Sequence, residues 1–219
     1  MNYVLNFGAV QRSFDDLLSG LALGLAMGLA GVVAGSLIGI VAAYAAIFGG
    51  RPARAVVTIY VGFIRNLPIL VLALFAFFAL PRYGIRFSNT TTFAAVLAIY
   101  AGAYLTESFR AAILIIPKGI LEASRSIGLT GTGVALWVVL PIALRNALPS
   151  LGNNFISLFK DTSIAAVIAV PELTFQARKI NNESFRVIEV WLTASLIYIA
   201  TCALIALALR RLEARFPKF

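Results

Sequence analysis

Apolar runs divide the chain into five stretches, each long enough for a bilayer core, which takes about 20 residues of helix. They cover 17–48, 55–80, 92–116, 150–170 and 190–209. The polar stretches between them are short: 49–54, 81–91, 117–133 and 171–189. This alternation predicts an all-α membrane protein of about five transmembrane helices, built as a single transmembrane domain over 1–219. The apolar piece 134–144 is too short to cross alone and has Pro141, Arg145 and Pro149 around it. It predicts an interfacial or partly inserted helix, or one that merges with the fourth span.

Within the spans the polar positions are patterned. In the first, Gly20, Gly24, Gly28, Gly31, Gly35 and Gly39 fall within an arc of roughly 100° on one helix face, and Ala42 and Ala46 continue it. Small residues at this spacing let helices approach closely in lipid. The stripe reads as a static packing face or as a sliding surface, the first being the commoner use. In the second span Pro68 cannot donate a hydrogen bond and predicts a kink or an opening, with Arg65 just before it. A cation at that depth faces a cavity or pairs with an acid on a neighbouring helix. In the third span Glu107 and Arg110 lie three apart and can pair along one face, with Tyr104 on the same side. The fourth span carries Ser150, Asn154, Ser157 and Asp161 within about 60°, a polar stripe that faces a neighbour or a wet route.

Composition removes most chemistry. Of 219 residues, 61% are hydrophobic and 12% charged, outside the soluble range. There is no histidine, and the single cysteine, Cys202, lies in an apolar run. The common general base and metal ligand are therefore missing, and no phosphate-binding Gly-x-x-x-x-Gly-Lys-Ser/Thr loop occurs. The expectation is no enzyme, no metal and no cofactor, with any ATP hydrolysis done by another chain. The net charge of +9 includes no basic run interleaved with aromatics, so it points to membrane topology and not to nucleic acid. Asp15 and Asp16 precede the first apolar stretch, which is longer than a cleaved signal region and is expected to be retained.

The loop 117–133 is the most patterned polar segment. Glu122 and Arg125 share a helix face, Ile120, Leu121 and Ala123 give an apolar counter-face, and Gly128 permits a turn. It reads as a short amphipathic helix at the membrane surface, resting on headgroups or presented to a partner. Glu122-Ala123-Ser124, followed by Gly128 and Leu140-Pro141, resembles the EAA loop of bacterial ABC-importer permeases. Arg65-Asn66-Leu67-Pro68-Ile69, Gly102-Ala103-Tyr104 with Glu107, Ile116-Pro117-Lys118-Gly119 and Lys160-Asp161-Thr162-Ser163 resemble, in order, segments of its polar amino acid branch.

The resemblance covers most of the chain, from about residue 21 to 213. It implies a cytoplasmic coupling helix bearing Glu122, Ala123, Ser124, Arg125 and Gly128 that docks on an ATPase. It also implies a dimer of ATPases, a second permease subunit, identical or homologous, and a solute-binding protein outside. The expected solute contacts are Arg65 for a carboxylate and Glu107, Asn154 and Asp161 for the rest of a polar amino acid. Gly152-Asn153-Asn154 stands where many relatives have Gly-Asn-Glu, which argues against a basic amino acid as sole solute. With the N-terminus outside the bacterial inner membrane, nine loop cations lie inside (Arg51, Arg54, Lys118, Arg125, Arg145, Arg210, Arg211, Arg215, Lys218). Six lie outside (Arg12, Arg82, Arg86, Arg178, Lys179, Arg186). An ion-coupled carrier of small polar solutes is the alternative, although carriers often show two related halves and none are visible here.

Overall fold

A computed structural model describes residues 3–215; Lys218 lies outside them. The elements are α1 (Gly8–Arg12), α2 (Phe14–Phe48), α3 (Arg51–Arg65), α4 (Ile69–Ala79), α5 (Asn89–Leu114), α6 (Lys118–Ser126), a single turn α7 (Gly131–Gly133), α8 (Leu140–Asp161), α9 (Leu173–Ser184) and α10 (Val187–Arg215). There are no strands among the described residues. Among the described residues, four helices are long and apolar enough to cross a membrane, and α3 with Ile69–Tyr83 makes a fifth if counted as one broken span.

The central packing is α2 on α5. Six glycines of α2 are buried. A Cβ at Gly35 would lie 2.5 Å from the Ala101 Cβ, and one at Gly39 2.9 Å from the Leu105 carbonyl carbon. Farther up, Gly20 meets the backbone at Glu172–Leu173 and Gly28 meets Phe159. The stripe is therefore a packing face against three partners. Beyond Gly39 the fully buried residue is Ala43, the next step of the four-residue row Gly31, Gly35, Gly39, whereas Ala42 and Ala46, expected to continue the stripe, are only half-buried.

Pro68 does more than kink its helix. Without an N–H it cannot serve the Ile64 carbonyl, which accepts from the Leu67 N–H at 3.3 Å instead. The Asn66 side-chain amide donates to the Gly62 carbonyl at 2.6 Å. The chain restarts as α4 at an angle of 99°. Ile69 and Ala73 of α4 are buried in the main core with Phe93, Leu97 and Phe109 of α5.

The piece 134–144 merges with the fourth span. A π-helical turn (Val134–Val139) joins α7 to α8, and the apolar helix runs from Gly131 to Ile168, ending in a 3-10 segment (Thr162–Ile168). The Tyr44 hydroxyl donates to the Ala135 carbonyl in the π turn at 2.6 Å, tying the end of α2 to the start of this helix. The polar stretch 171–189 is mostly the helix α9, which forms a second small core with Val10, Leu17 and Val190.

Candidate functional site

The break after Arg65 leaves this cation at a helix end beside α5. Its guanidinium lies over the Tyr104 ring, 5.2 Å from the centroid. Such a contact stabilises by about 0.5–2 kcal/mol depending on exposure. Among the described residues no carboxylate pairs with Arg65, and its N–H donors hold no hydrogen bond. Tyr100 donates its hydroxyl to that of Tyr104 at 3.2 Å, with the rings 4.8 Å apart. Asp161, at the end of α8 and half-buried, is within electrostatic reach of Tyr100. One turn farther along α5, Ser108 and Ser150 hydroxyls are 2.7 Å apart, and the Asn154 amide donates to the Ser150 carbonyl at 2.8 Å.

The polar stripe of α8 thus faces a matching stripe on α5: Tyr100, Tyr104 and Ser108, spaced by four. Arg65, without a carboxylate partner among the described residues, lies over one ring of the tyrosine pair. Arg65 meets α5 at the Tyr104 ring, Asn154 bonds to Ser150 within α8, and Ser150 ties α8 to Ser108 of α5. Tyr100 and Ser108 were not singled out from the sequence, although their spacing with Tyr104 carried the signal.

Glu107 is placed elsewhere. Arg110 donates to its Oε2 through Nη2 at 2.6 Å and Nε at 3.0 Å, forming the internal pair that the spacing allowed. The pair lies in a cavity of about 600 Å³ against α2 and α3, away from the α8 stripe.

The helix α6 is amphipathic, but its apolar side differs from the expected one. Ser124 is buried and Ala123 exposed, because 120, 121 and 124 share a face and 123 does not. Ile120 and Leu121 pack on the main core. Glu122, Ala123 and Arg125 face outward. The helix ends in a Schellman arrangement: Gly128, at φ +87°, donates to the Arg125 carbonyl at 3.0 Å and Leu129 to that of Ser124 at 3.3 Å. Glycine is needed at that φ.

At the opposite end, Glu172 is buried as the N-cap of α9. It accepts from the N–H groups of Thr174 at 2.9 Å and Phe175 at 2.8 Å, and from the Tyr198 hydroxyl at 3.0 Å. Burial pushes its carboxyl above the ordinary range, opposed by those hydrogen bonds.

A bundle with one broken helix, polar side chains between two others and an amphipathic helix at its edge defines a polytopic membrane protein. The chain belongs to the family of binding-protein-dependent transport system inner membrane components, which it matches over residues 35–218. It is 39% identical over 178 residues to the glutamine transport system permease protein GlnP of Escherichia coli (strain K12), spanning 80% of this chain and 81% of that protein. It is 33% identical over 212 residues to the L-cystine transport system permease protein TcyB of Bacillus subtilis (strain 168), spanning 96% and 91%. The crystal structure of an amino acid ABC transporter with histidines superposes with a TM-score of 0.88 at 30% identity, over 97% of this chain and 100% of that one. The protein is thus a multi-pass permease component of the inner membrane.

Proposed function

We propose that the chain is one permease subunit of an ATP-driven importer for a polar amino acid with an uncharged side chain. The observation that carries this reading is the pair of features at two depths: Arg65, with no carboxylate partner among the described residues, on the tyrosine pair, and an outward-facing Glu122-Ala123 edge on a helix braced by Ser124 and Gly128. Arg65 takes the solute carboxylate, Asp161 the ammonium, and Asn154 a polar side chain. Glu107 lies on the same helix farther along the route. A second permease subunit completes the pathway, and a solute-binding protein delivers from outside.

The surface formed by Glu122, Ala123, Arg125 and Gly128, backed by the buried Ser124, meets a cytoplasmic ATPase dimer. ATP closes that dimer, α6 moves, and the spans rock between outward and inward access. With the N-terminus outside, α6 and the end of α10 lie in the cytoplasm. The glutamine relative makes L-glutamine the first solute to try.

The test is uptake into vesicles holding the chain with its ATPase and second permease. Glu122→Arg should leave the assembly folded and abolish the link between ATP hydrolysis and uptake. Asp161→Asn should reduce uptake by about tenfold or more while expression stays constant, as loss of a charge-assisted contact does. Normal ATP-driven uptake by Glu122→Arg would remove the coupling assignment. Uptake that persists without any ATPase would make the protein an ion-coupled carrier.

A further inference from the structure

The cavity around Glu107 and Arg110 has open valences. Arg110 spends Nε and Nη2 on a single oxygen, Oε2 of Glu107. The other oxygen, Oε1, and Arg110 Nη1 have no partner among the described residues. Arg54 enters the same cavity with its Nε on the Ala46 carbonyl at 3.1 Å, which leaves its two terminal nitrogens open. Thr58 donates its hydroxyl to the Arg54 carbonyl at 2.9 Å and keeps its lone pairs. Two cations and one acid therefore surround a space of about 600 Å³, within the range that small ligands occupy. Charges in spans are costly and face water or a ligand route. An ion pair with both partners half-exposed is not a sealed structural pair: its side chains are 42% and 34% accessible.

The position is equally informative. Gly62 precedes Arg65 by three residues and Glu107 follows Tyr104 by three, so the cavity begins about 4.5 Å along both helices from the Arg65–Tyr104 contact. It extends toward the start of α3 and the end of α5, hence toward α6. The remaining lining, Val57, Val61 and Leu114 among it, is apolar. No group there selects a side chain; the charges match only the ammonium and carboxylate that every α-amino acid carries.

We propose that this cavity is a second station for the amino acid on its way inward, in which Glu107 Oε1 accepts the α-ammonium while Arg110 and Arg54 donate to the α-carboxylate. The inference rests on the importer reading above and adds a site to it. Selection then occurs at the Arg65, Asn154 and Asp161 level, and the second station holds any solute that has passed.

The experiment uses the assembled importer with Cys202 replaced by alanine and Thr58→Cys introduced. Thr58 is exposed in the cavity wall, so the change is small. Modification of this cysteine by a methanethiosulfonate ethylammonium reagent is followed with and without L-glutamine. L-Glutamine should slow modification, and 4-aminobutanamide, which lacks the α-carboxylate, should not. Adding Glu107→Gln or, separately, Arg54→Gln should raise the L-glutamine concentration needed by about tenfold, the loss of one charge-assisted contact; Arg54 lies at an exposed helix start, so its variant remains informative if the other misfolds. Absence of slowing while ATP-driven uptake proceeds normally would overturn the second station and leave the importer reading intact. Equal slowing by 4-aminobutanamide would also overturn it. Failure of ATP-driven uptake for every amino acid would instead defeat the importer reading.

Discussion

Single positions separate packing from function in this chain, and two glycines make the contrast measurable. An added methyl at Gly35 has no room against Ala101, whereas at Gly62 nothing lies within 4 Å. Gly35→Ala should lower stability by about 1–3 kcal/mol, the usual cost of overpacking a core. Gly62→Ala should be neutral or stabilise by up to about 1 kcal/mol through helix propensity. Thermal unfolding of the purified chain in detergent checks both, and equal effects would mean that α2 and α5 are not the rigid pair described. Glu172 adds a pH dependence. Its folded carboxyl titrates above the ordinary value of 4.5, so the folded state holds a proton that the unfolded state has already released. Stability from this group is full below 4.5 and is lost as pH rises through the higher folded value. Glu172→Gln should flatten that part of the profile and, by removing one acceptor oxygen, lower the melting temperature at acidic pH. A variant with the same pH slope as the parent would show that the slope comes from another group.

At the level of elements, hydrogen-bond bookkeeping decides where helices break and where they do not. Tyr44 is the clearest case. Its hydroxyl serves a carbonyl in the π turn ahead of α8. Tyr44→Phe should cost about 1 kcal/mol, the net worth of a hydrogen bond, and a melting curve resolves it. No loss would mean that the π turn satisfies its own carbonyls.

How much of this was legible beforehand follows the same logic. Pro68 announced a break because proline has no N–H, but the 99° turn was not legible, since it is set by how Ile69 and Ala73 of α4 pack against α5. Pro141 and Pro149 suggested a separate short helix before the fourth span. The helix instead runs through both: Pro141 directly follows the π turn, where the regular hydrogen-bond ladder is already interrupted, and Pro149 lies inside α8. The amphipathic loop helix was legible from its spacing, yet Ala123 and Ser124 exchanged sides, since composition favours alanine for the buried face and geometry places serine there. The stripe of α8 was legible because four polar residues in an apolar run stand out. Its counterpart on α5 was hidden among aromatic and small residues that also suit a packed core. Glu107 and Arg110 were legible as a pair, but the cavity beside them depends on α3, far away in sequence.

For the whole molecule the decisive quantity is which end faces the cytoplasm, because it fixes what α6 and α9 can meet. Counting the broken pair α3–α4 as one crossing gives five, which puts the two ends of the chain on opposite sides. The segments on the α6 side carry nine cations and two acids, Glu122 and Glu213; those on the α9 side carry six cations and five acids, Asp15, Asp16, Glu172, Glu183 and Glu189. The excess of lysine and arginine, the term that governs orientation, favours α6 inside. The margin is narrow, so labelling should decide it. In a chain with Cys202 replaced by alanine, Asn182→Cys on α9 and Ser126→Cys at the end of α6 are both exposed. A membrane-impermeant maleimide added to cells with a permeable outer membrane should modify the α9 cysteine at once and the α6 cysteine only after the inner membrane is opened. The reverse pattern would turn the bundle over, set α6 where no ATP is available, and exclude ATPase docking through Glu122 whatever uptake assays gave. The expected pattern leaves α6 and the second-station cavity opening toward the same compartment, as delivery of an imported solute requires.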